Sequence, residues 1–293
     1  MTVGVCAFNE ERNIASCISS IIAQRGGSFQ LLDVLVVCSG CTDGTEAIVE
    51  ELSRQDPRVR LLVQKQREGK CSAINLLISQ AAGEVLALVN GDNRLDEGSL
   101  DHLMRPFIDP AVGMAGGHPT PVNSPDTAVG FAVHMVWDLH HRLSLIYPKI
   151  GELVAFRKDG VSLPTHLGSD EDNIRMQLER KGLRSVYVPE ATVINKGPTT
   201  VADFMKQRTR INIGEGYVKR LYDYDIPTQD RSLVARALLD FLRDSGWHPF
   251  RIMTAAVLEG SARIYAKAYV AMDRGDQAVW SQIATSKDVD SRD

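Results

Sequence analysis

From Val3 to Val89 the chain alternates two apolar patterns, and this alternation limits the fold more than any other feature. Val3–Ala7, Leu31–Val37, Val59–Gln64 and Val85–Val89 are short runs dense in Val and Leu, and they read as strands. Between them, Ile14–Ala23, Thr45–Leu52 and Ser72–Ala82 space their apolar residues as helices do, for example Ile14, Ile18, Ile21 and Ile22. Strands that are apolar on both faces belong in a parallel sheet covered by helices on both sides. In such sheets ligands bind where loops leave the carboxyl ends of the strands. The segments after strands one, two and four are Phe8-Asn9-Glu10, Ser39-Gly40-Cys41-Thr42-Asp43-Gly44 and Asn90-Gly91-Asp92-Asn93. They are polar and are expected to form one crevice.

The pattern is less regular after residue 110. Pro110–Pro125 holds four prolines and three glycines and reads as loop. Ala128–Leu145 is predicted helical and carries His134, His140 and His141, which read as core or acceptor-groove residues more readily than as metal ligands. Leu153–Arg157 reads as a strand, Glu171–Lys181 as a helix capped by Gly182, and Ser185–Val188 and Ala191–Ile194 as two short strands. Past Gly197-Pro198, Val201–Tyr222, Ser232–Arg243 and Pro249–Asp273 read as helices, and the polar tail after Thr285 is expected to fray.

A net charge of −4 argues against nucleic acid as the main partner. No 18-residue apolar stretch and no recognisable leader are present, so the expected compartment is the cytoplasm. The five cysteines all fall within the first 71 residues. Cys38-x-x-Cys41 has zinc-like spacing, but a closed zinc site needs a second ligand pair, so small buried residues are the expectation.

Three segments carry chemistry. Val85–Asp92 is a buried strand ending on an acidic turn, where a carboxylate can bind Mg²⁺ or Mn²⁺ with a diphosphate completing the shell, or can simply cap a turn. Asp170-Glu171-Asp172 opens a helix. These acids either complement the helix dipole or repel one another toward the range of a general base. In Gln207-Arg208-Thr209-Arg210 the arginines either clamp phosphate or face solvent.

Taken in order, Cys6-Ala7-Phe8-Asn9-Glu10, Cys38–Thr45, Gly69-Lys70-x-x-Ala73-x-Asn75, Ala82–Asp92, Glu171-Asp172 with Leu178 and Gly182, and Gln207–Ile211 resemble the motifs of family-2 glycosyltransferases. The last resembles the Gln-x-x-Arg-Trp motif of the membrane-associated branch. The resemblance covers about residues 3–215 and implies an α/β GT-A fold, with a Rossmann-like, mostly parallel sheet. Residues 1–115 would be the nucleotide-sugar half, 116–215 the acceptor half and 216–293 a helical extension.

The same resemblance implies roles. Phe8, with Ala7 beside it, would wall the base pocket, and Glu10 and Ser39 would face the nucleobase or ribose. Lys70 would lie near the nucleoside and its phosphates. Asn90 and Gly91 would belong to the same nucleotide contact, and Asp92 would hold Mg²⁺ or Mn²⁺. Asp172 would be the general base with Glu171 its neighbour, and Arg208 and Arg210 would approach the leaving diphosphate. The implied activity is inverting transfer of one sugar, of the hexosyltransferase class, from a nucleotide-diphosphate sugar to a hydroxyl or phosphate acceptor on a carbohydrate, a lipid carrier or a small molecule.

Three departures from the family pattern matter. Asn90 stands for the first Asp of the Asp-x-Asp turn, where a neutral amide still hydrogen-bonds a ribose. Cys38-Ser39 stands for an Asp pair. Ile211 stands for Trp, which points to single-sugar transfer. The rival readings are an inactive sugar-nucleotide or glycan binding module and a sugar nucleotidyltransferase. The second would want a glycine-rich basic loop after strand one, and that place is acidic. A dinucleotide dehydrogenase lacks its Gly-x-Gly-x-x-Gly.

Residues 201–274 carry 12 basic and 9 acidic side chains. Pro249–Asp273 sets Met253, Val257, Gly260, Ile264 and Ala271 on one side. That side either rests peripherally on the cytoplasmic face of an anionic membrane or packs on the catalytic domain or a second subunit of a homo-oligomer. Trp280 is either an interfacial anchor or a packing residue.

Overall fold

The computed structural model describes residues 1–226, 228, 230–244, 248–275, 279 and 282–289; Trp280 lies outside them. The first half runs β1 (Thr2–Ala7), α1 (Ile14–Ile22), β2 (Asp33–Ser39), α2 (Thr45–Gln55), β3 (Val59–Gln64), α3 (Lys70–Gln80), β4 (Val85–Asn90), β5 (Arg94–Leu95) and α4 (Ser99–Met104). Then come β6 (Val112–Pro121), α5 (Ala128–Ile146), β7 (Leu153–Arg157), α6 (Asp170–Arg180), β8 (Arg184–Asn195), α7 (Val201–Tyr222), α8 (Arg231–Asp244) and α9 (Pro249–Ala271).

One eight-stranded sheet has the order β3-β2-β1-β4-β7-β6-β8-β5. β1 pairs parallel with β2 and β4, β2 with β3, and β6 with β8. β7 runs antiparallel between β4 and β6. Strand side chains alternate between faces. Val34 and Val36 therefore pack with Ile14, Ile18 and Ile21 of α1 on one face, while Leu35 and Val37 pack with Ile74 and Leu77 of α3 on the other. This two-sided burial is why the strands carry apolar residues continuously. The boundary expected at 115/116 falls inside β6, and both halves share the sheet.

Two readings of the sequence are corrected here. Pro110–Pro125 is not loop, because β6 occupies most of it. Its glycines mark close approach: a Cβ on Gly117 would lie 2.4 Å from the Ala191 carbonyl oxygen on β8. The two short strands expected between 185 and 194 are one strand, β8, paired to β6 through register shifts at Val112/Met114 and Gly116/His118.

The three last helices form a layer of their own. Val129, Phe131 and Val133 of α5 pack with Phe204 of α7, Phe241 of α8 and Ala255 of α9. The buried line of α9 is Ala255, Ala262 and Ala266, whereas Phe250, Met253, Val257 and Ile264 are exposed. Among the described residues no helix is long and apolar enough to cross a membrane.

Candidate functional site

The loops at the carboxyl ends of β1, β2 and β4 are bonded together. Asn9, at φ 54°, accepts from the Thr42 amide at 2.8 Å, and the Glu10 amide donates to Thr45 Oγ1 at 2.8 Å. The Gly91 amide donates to the Cys6 carbonyl at 3.1 Å, which sets the β4 turn against β1. Above them lies a cavity of about 260 Å³ lined by Ala7, Phe8, Glu10, Ser39, Lys70, Asn90, Asp92 and Arg210, among others. The expected nucleotide residues thus converge, except two. Gly91 packs beneath the turn and does not line the cavity, and Arg208 is elsewhere.

A second cavity of about 280 Å³ adjoins the first, and both are bordered by Lys70, Asn90, Trp137, Glu152 and Arg210. The acidic turn at the start of α6 opens on the second cavity. Lys70 Nζ lies 2.8 Å from Asp170 Oδ2 and 3.2 Å from Glu171 Oε1. Burial, then the charge of Glu171, push the Asp170 carboxyl up to about 7 against the pull of Lys70. Burial acts most strongly to raise Glu171, but the Lys70 ammonium together with hydrogen bonds from Asp170 and the backbone holds it down at about 2.

Asp172, expected as the base, is buried. Both its oxygens accept from Lys149 Nζ, at 3.1 and 3.0 Å, and Lys149 also pairs with Glu215 at 3.2 Å. Glu171 is the more open of the two, with about a quarter of its side chain exposed.

The two arginines of α7 separate. Arg208 is held by both oxygens of Glu259 on α9, at 2.7 and 3.0 Å, and lines only the second cavity. In this structure its fork is filled by a carboxylate and it does not border the first cavity, where the diphosphate was expected. Arg210 lies two residues on, about half a turn round the helix, has no ion pair among the described residues, and borders both cavities.

Four further groups escaped sequence reasoning. Glu152 sits at φ 61°, in the left-handed region, just before β7. Its Oε2 accepts from Asn90 at 2.8 Å and Asn93 at 2.9 Å. The amide at position 90 therefore has a local reason, since a carboxylate there could not donate to Glu152. Arg67 lays its guanidinium 3.7 Å from the Phe8 ring centroid. Lys149 and Lys287 are the others. Lys287 Nζ lies 2.9 Å from Asp92 Oδ2 and is hydrogen-bonded to Glu10 Oε1. In the sequence these are isolated charged residues, and none of them spells out a partner.

The expected cation fits this place. The chain's own ammonium already sits between Glu10 and Asp92, so the carboxylates select positive charge. Among the described residues no three His, Cys, Asp or Glu gather to hold a metal unaided. One or two carboxylates suit Mg²⁺ or Mn²⁺ when water and phosphate oxygens complete the shell. Serine 39 is less free than expected: the Ser39 hydroxyl donates to the Gln66 carbonyl at 3.4 Å and accepts from the Glu68 amide at 3.2 Å.

The family model for Glycosyl transferase family 2 matches residues 2–164, and that for Glycosyl transferase family group 2 matches 85–270. The chain belongs to glycosyl transferase family 2. Among its family relatives, an N-acetylglucosaminyltransferase of Rhizobium meliloti (strain 1021) is 25% identical over 229 residues, 70% of this chain and 53% of the relative. Glycosyltransferase GlyG of Streptococcus pneumoniae serotype 4 is 30% identical over 103 residues, 35% of this chain and 33% of the relative. The chain thus spans from a third to about half the length of these curated relatives. The mannosyltransferase PcManGT from Pyrobaculum calidifontis, solved with GDP-Man and Mn²⁺, superposes with a TM-score of 0.60 at 24% identity over 93% of this chain and 78% of that one. That likeness shows the GT-A fold.

Proposed function

We propose that the chain is an inverting glycosyltransferase of the hexosyltransferase class. It moves a single sugar from a nucleotide-diphosphate sugar in the first cavity to a hydroxyl or phosphate acceptor in the second. The observation that carries this is the pair of adjoining cavities with an acidic turn on the acceptor side and, in their shared wall, Arg210, which has no ion pair among the described residues. PcManGT, of the same fold, binds a nucleotide sugar with Mn²⁺, which supports the same pairing here.

Phe8 and Arg67 wall the base end of the donor cavity. Asp92, with Glu10 beside it, holds Mg²⁺ or Mn²⁺, which supplies charge neutralisation of the leaving diphosphate. Arg210 adds a second cation to that oxygen cluster. The acceptor proton goes to a carboxylate of the α6 turn. Glu171 takes this role in place of Asp172, because it is the more open and only one of its oxygens meets a lysine, whereas Lys149 occupies both oxygens of the buried Asp172. Lys70 bridges the turn to the donor side and orients Glu171. Ile211, on the second cavity, leaves that wall without the ring of the processive motif, in keeping with transfer of one sugar. The acceptor is a carbohydrate, a lipid-linked glycan or a small molecule. The outward stripe Phe250, Met253, Val257 and Ile264 supports a peripheral contact of residues 249–273 with an anionic membrane on its cytoplasmic face.

The test is nucleotide release from a panel of nucleotide sugars with Mn²⁺, comparing the wild type with Glu171→Gln. Turnover is expected with at least one donor and is lost in the variant, which still binds that donor. Absence of donor binding at millimolar concentration overturns the proposal. Donor binding without turnover on any acceptor or on water favours the binding module instead.

A further inference from the structure

The segment after Thr285 does not fray where it is described; it is bonded into the donor cavity. Gln282 Nε2 donates to the Asn9 carbonyl at 3.0 Å, and Thr285 Oγ1 donates to Asp203 Oδ2 at 2.7 Å. The amides of Asp288 and Val289 both donate to Asn13 Oδ1, at 3.1 and 3.0 Å. Ile283, Ser286 and Val289 are buried. Between these anchors Lys287 delivers its ammonium to Glu10 and Asp92. Asn13 also donates from Nδ2 to Glu10 Oε2 at 3.1 Å, so one side chain holds both the segment and the carboxylate that its lysine meets.

This seat offers two carboxylates and suits one cation. A divalent ion needs the same oxygens at about 2.0–2.1 Å and brings twice the charge. It and an ammonium within a few ångströms repel strongly in a partly buried site. Gln282, Ile283, Ser286 and Lys287 are also part of the donor cavity wall. Moving Lys287 out therefore removes a wall of the cavity.

We propose that Lys287 is a tethered competitor for the divalent cation, and that loading metal with nucleotide expels it and releases residues 282–289 from the donor cavity. The chain thereby gates its own donor site. This rests on the reading of Asp92 and Glu10 as the cation seat.

The experiment uses the full chain and MnCl₂, with a nucleoside diphosphate of the preferred base. Mn²⁺ affinity is read from the free-ion electron paramagnetic resonance signal, and hydrogen exchange is read at residues 282–289. Lys287→Met is expected to bind Mn²⁺ about tenfold more tightly or better, as follows if the seat is open in a tenth of wild-type molecules or fewer. Gln282→Ala, which loosens the strap and leaves the seat untouched, is expected to tighten binding by a smaller factor. Mn²⁺ with nucleotide is expected to speed exchange at 282–289 in the wild type. Equal Mn²⁺ affinity in wild type and Lys287→Met, or slower exchange at 282–289 on loading, overturns the competition and leaves the donor assignment standing. Failure of both proteins to bind Mn²⁺ while nucleotide still binds overturns it too. In that case Lys287 is itself the resident cation, and the metal-assisted part of the proposed function falls with it.

Discussion

At the scale of single residues, the structure gives different partners to neighbours that look alike in sequence. Glu171→Gln is expected to lower kcat by about 10²–10⁴ with little change in nucleotide affinity, measured by titration and steady-state kinetics. Lys149→Met leaves Asp172 and Glu215 buried without their shared ammonium, and is expected to cost about 3–5 kcal/mol of stability in urea unfolding. Arg210 and Arg208 give a second contrast. Arg210→Ala is expected to weaken nucleotide binding roughly ten- to hundredfold, as loss of hydrogen bonds to a charged group does, with an unchanged melting temperature. Arg208→Ala is expected to do the reverse, lowering the melting temperature because it leaves the part-buried Glu259 with Arg263 alone. Sequence reading found the acidic turn and the basic pair because strings of like residues are conspicuous. It could not say which member faces the cavity, since that depends on partners 23 or 51 positions away. Glu152 and Lys287 carry no string around them, and nothing local announces either.

At the scale of elements, the joint between α7 and α9 combines an apolar cluster of Ile213, Tyr217 and Ala266 with an ionic contact. Glu259 accepts from Arg208 and, at 2.8 Å, from Arg263 on its own helix. Burial pushes its carboxyl up, but the two guanidiniums win and hold it down from 4.5 to about 2. A depressed folded value means a contribution present above 4.5 and lost as the pH falls through about 2. The stability advantage of the wild type over Glu259→Gln is thus expected to shrink, by on the order of 3 kcal/mol, as unfolding is followed down that range. β6 shows why one element was illegible. Glycine and proline are loop signals in isolation, yet Gly117 is small because β8 crosses where its side chain would be. Gly117→Ala is expected to destabilise by about 1–3 kcal/mol, read by denaturant unfolding. On α9 the apolar side noted in the sequence faces outward, while alanines make the contact inward. Residue type gave the stripe, and only packing gave its direction. Co-sedimentation with anionic vesicles is expected for the wild type and is expected to fall in Ile264→Glu.

At the scale of the molecule, the parallel strands were legible, though not their order, because burial on two faces leaves a continuous apolar signature. The reversed strand β7 was recognisable as a strand but not as the one that joins the two halves. Because every half contributes to one sheet and one pair of cavities, a bound nucleotide is expected to protect the whole chain. A nucleoside diphosphate with Mn²⁺ at about a hundred times its Kd is expected to add about 2.7 kcal/mol, seen as a rise in the melting temperature of a single transition. The wall of Lys70, Asn90, Trp137, Glu152 and Arg210 has a kinetic meaning as well. A ligand on one side is expected to shift side chains that shape the other, and thermodynamic linkage then makes the effect on affinity mutual. With donor and acceptor seated as proposed, this wall is a single partition through which each tenant alters the room of the other.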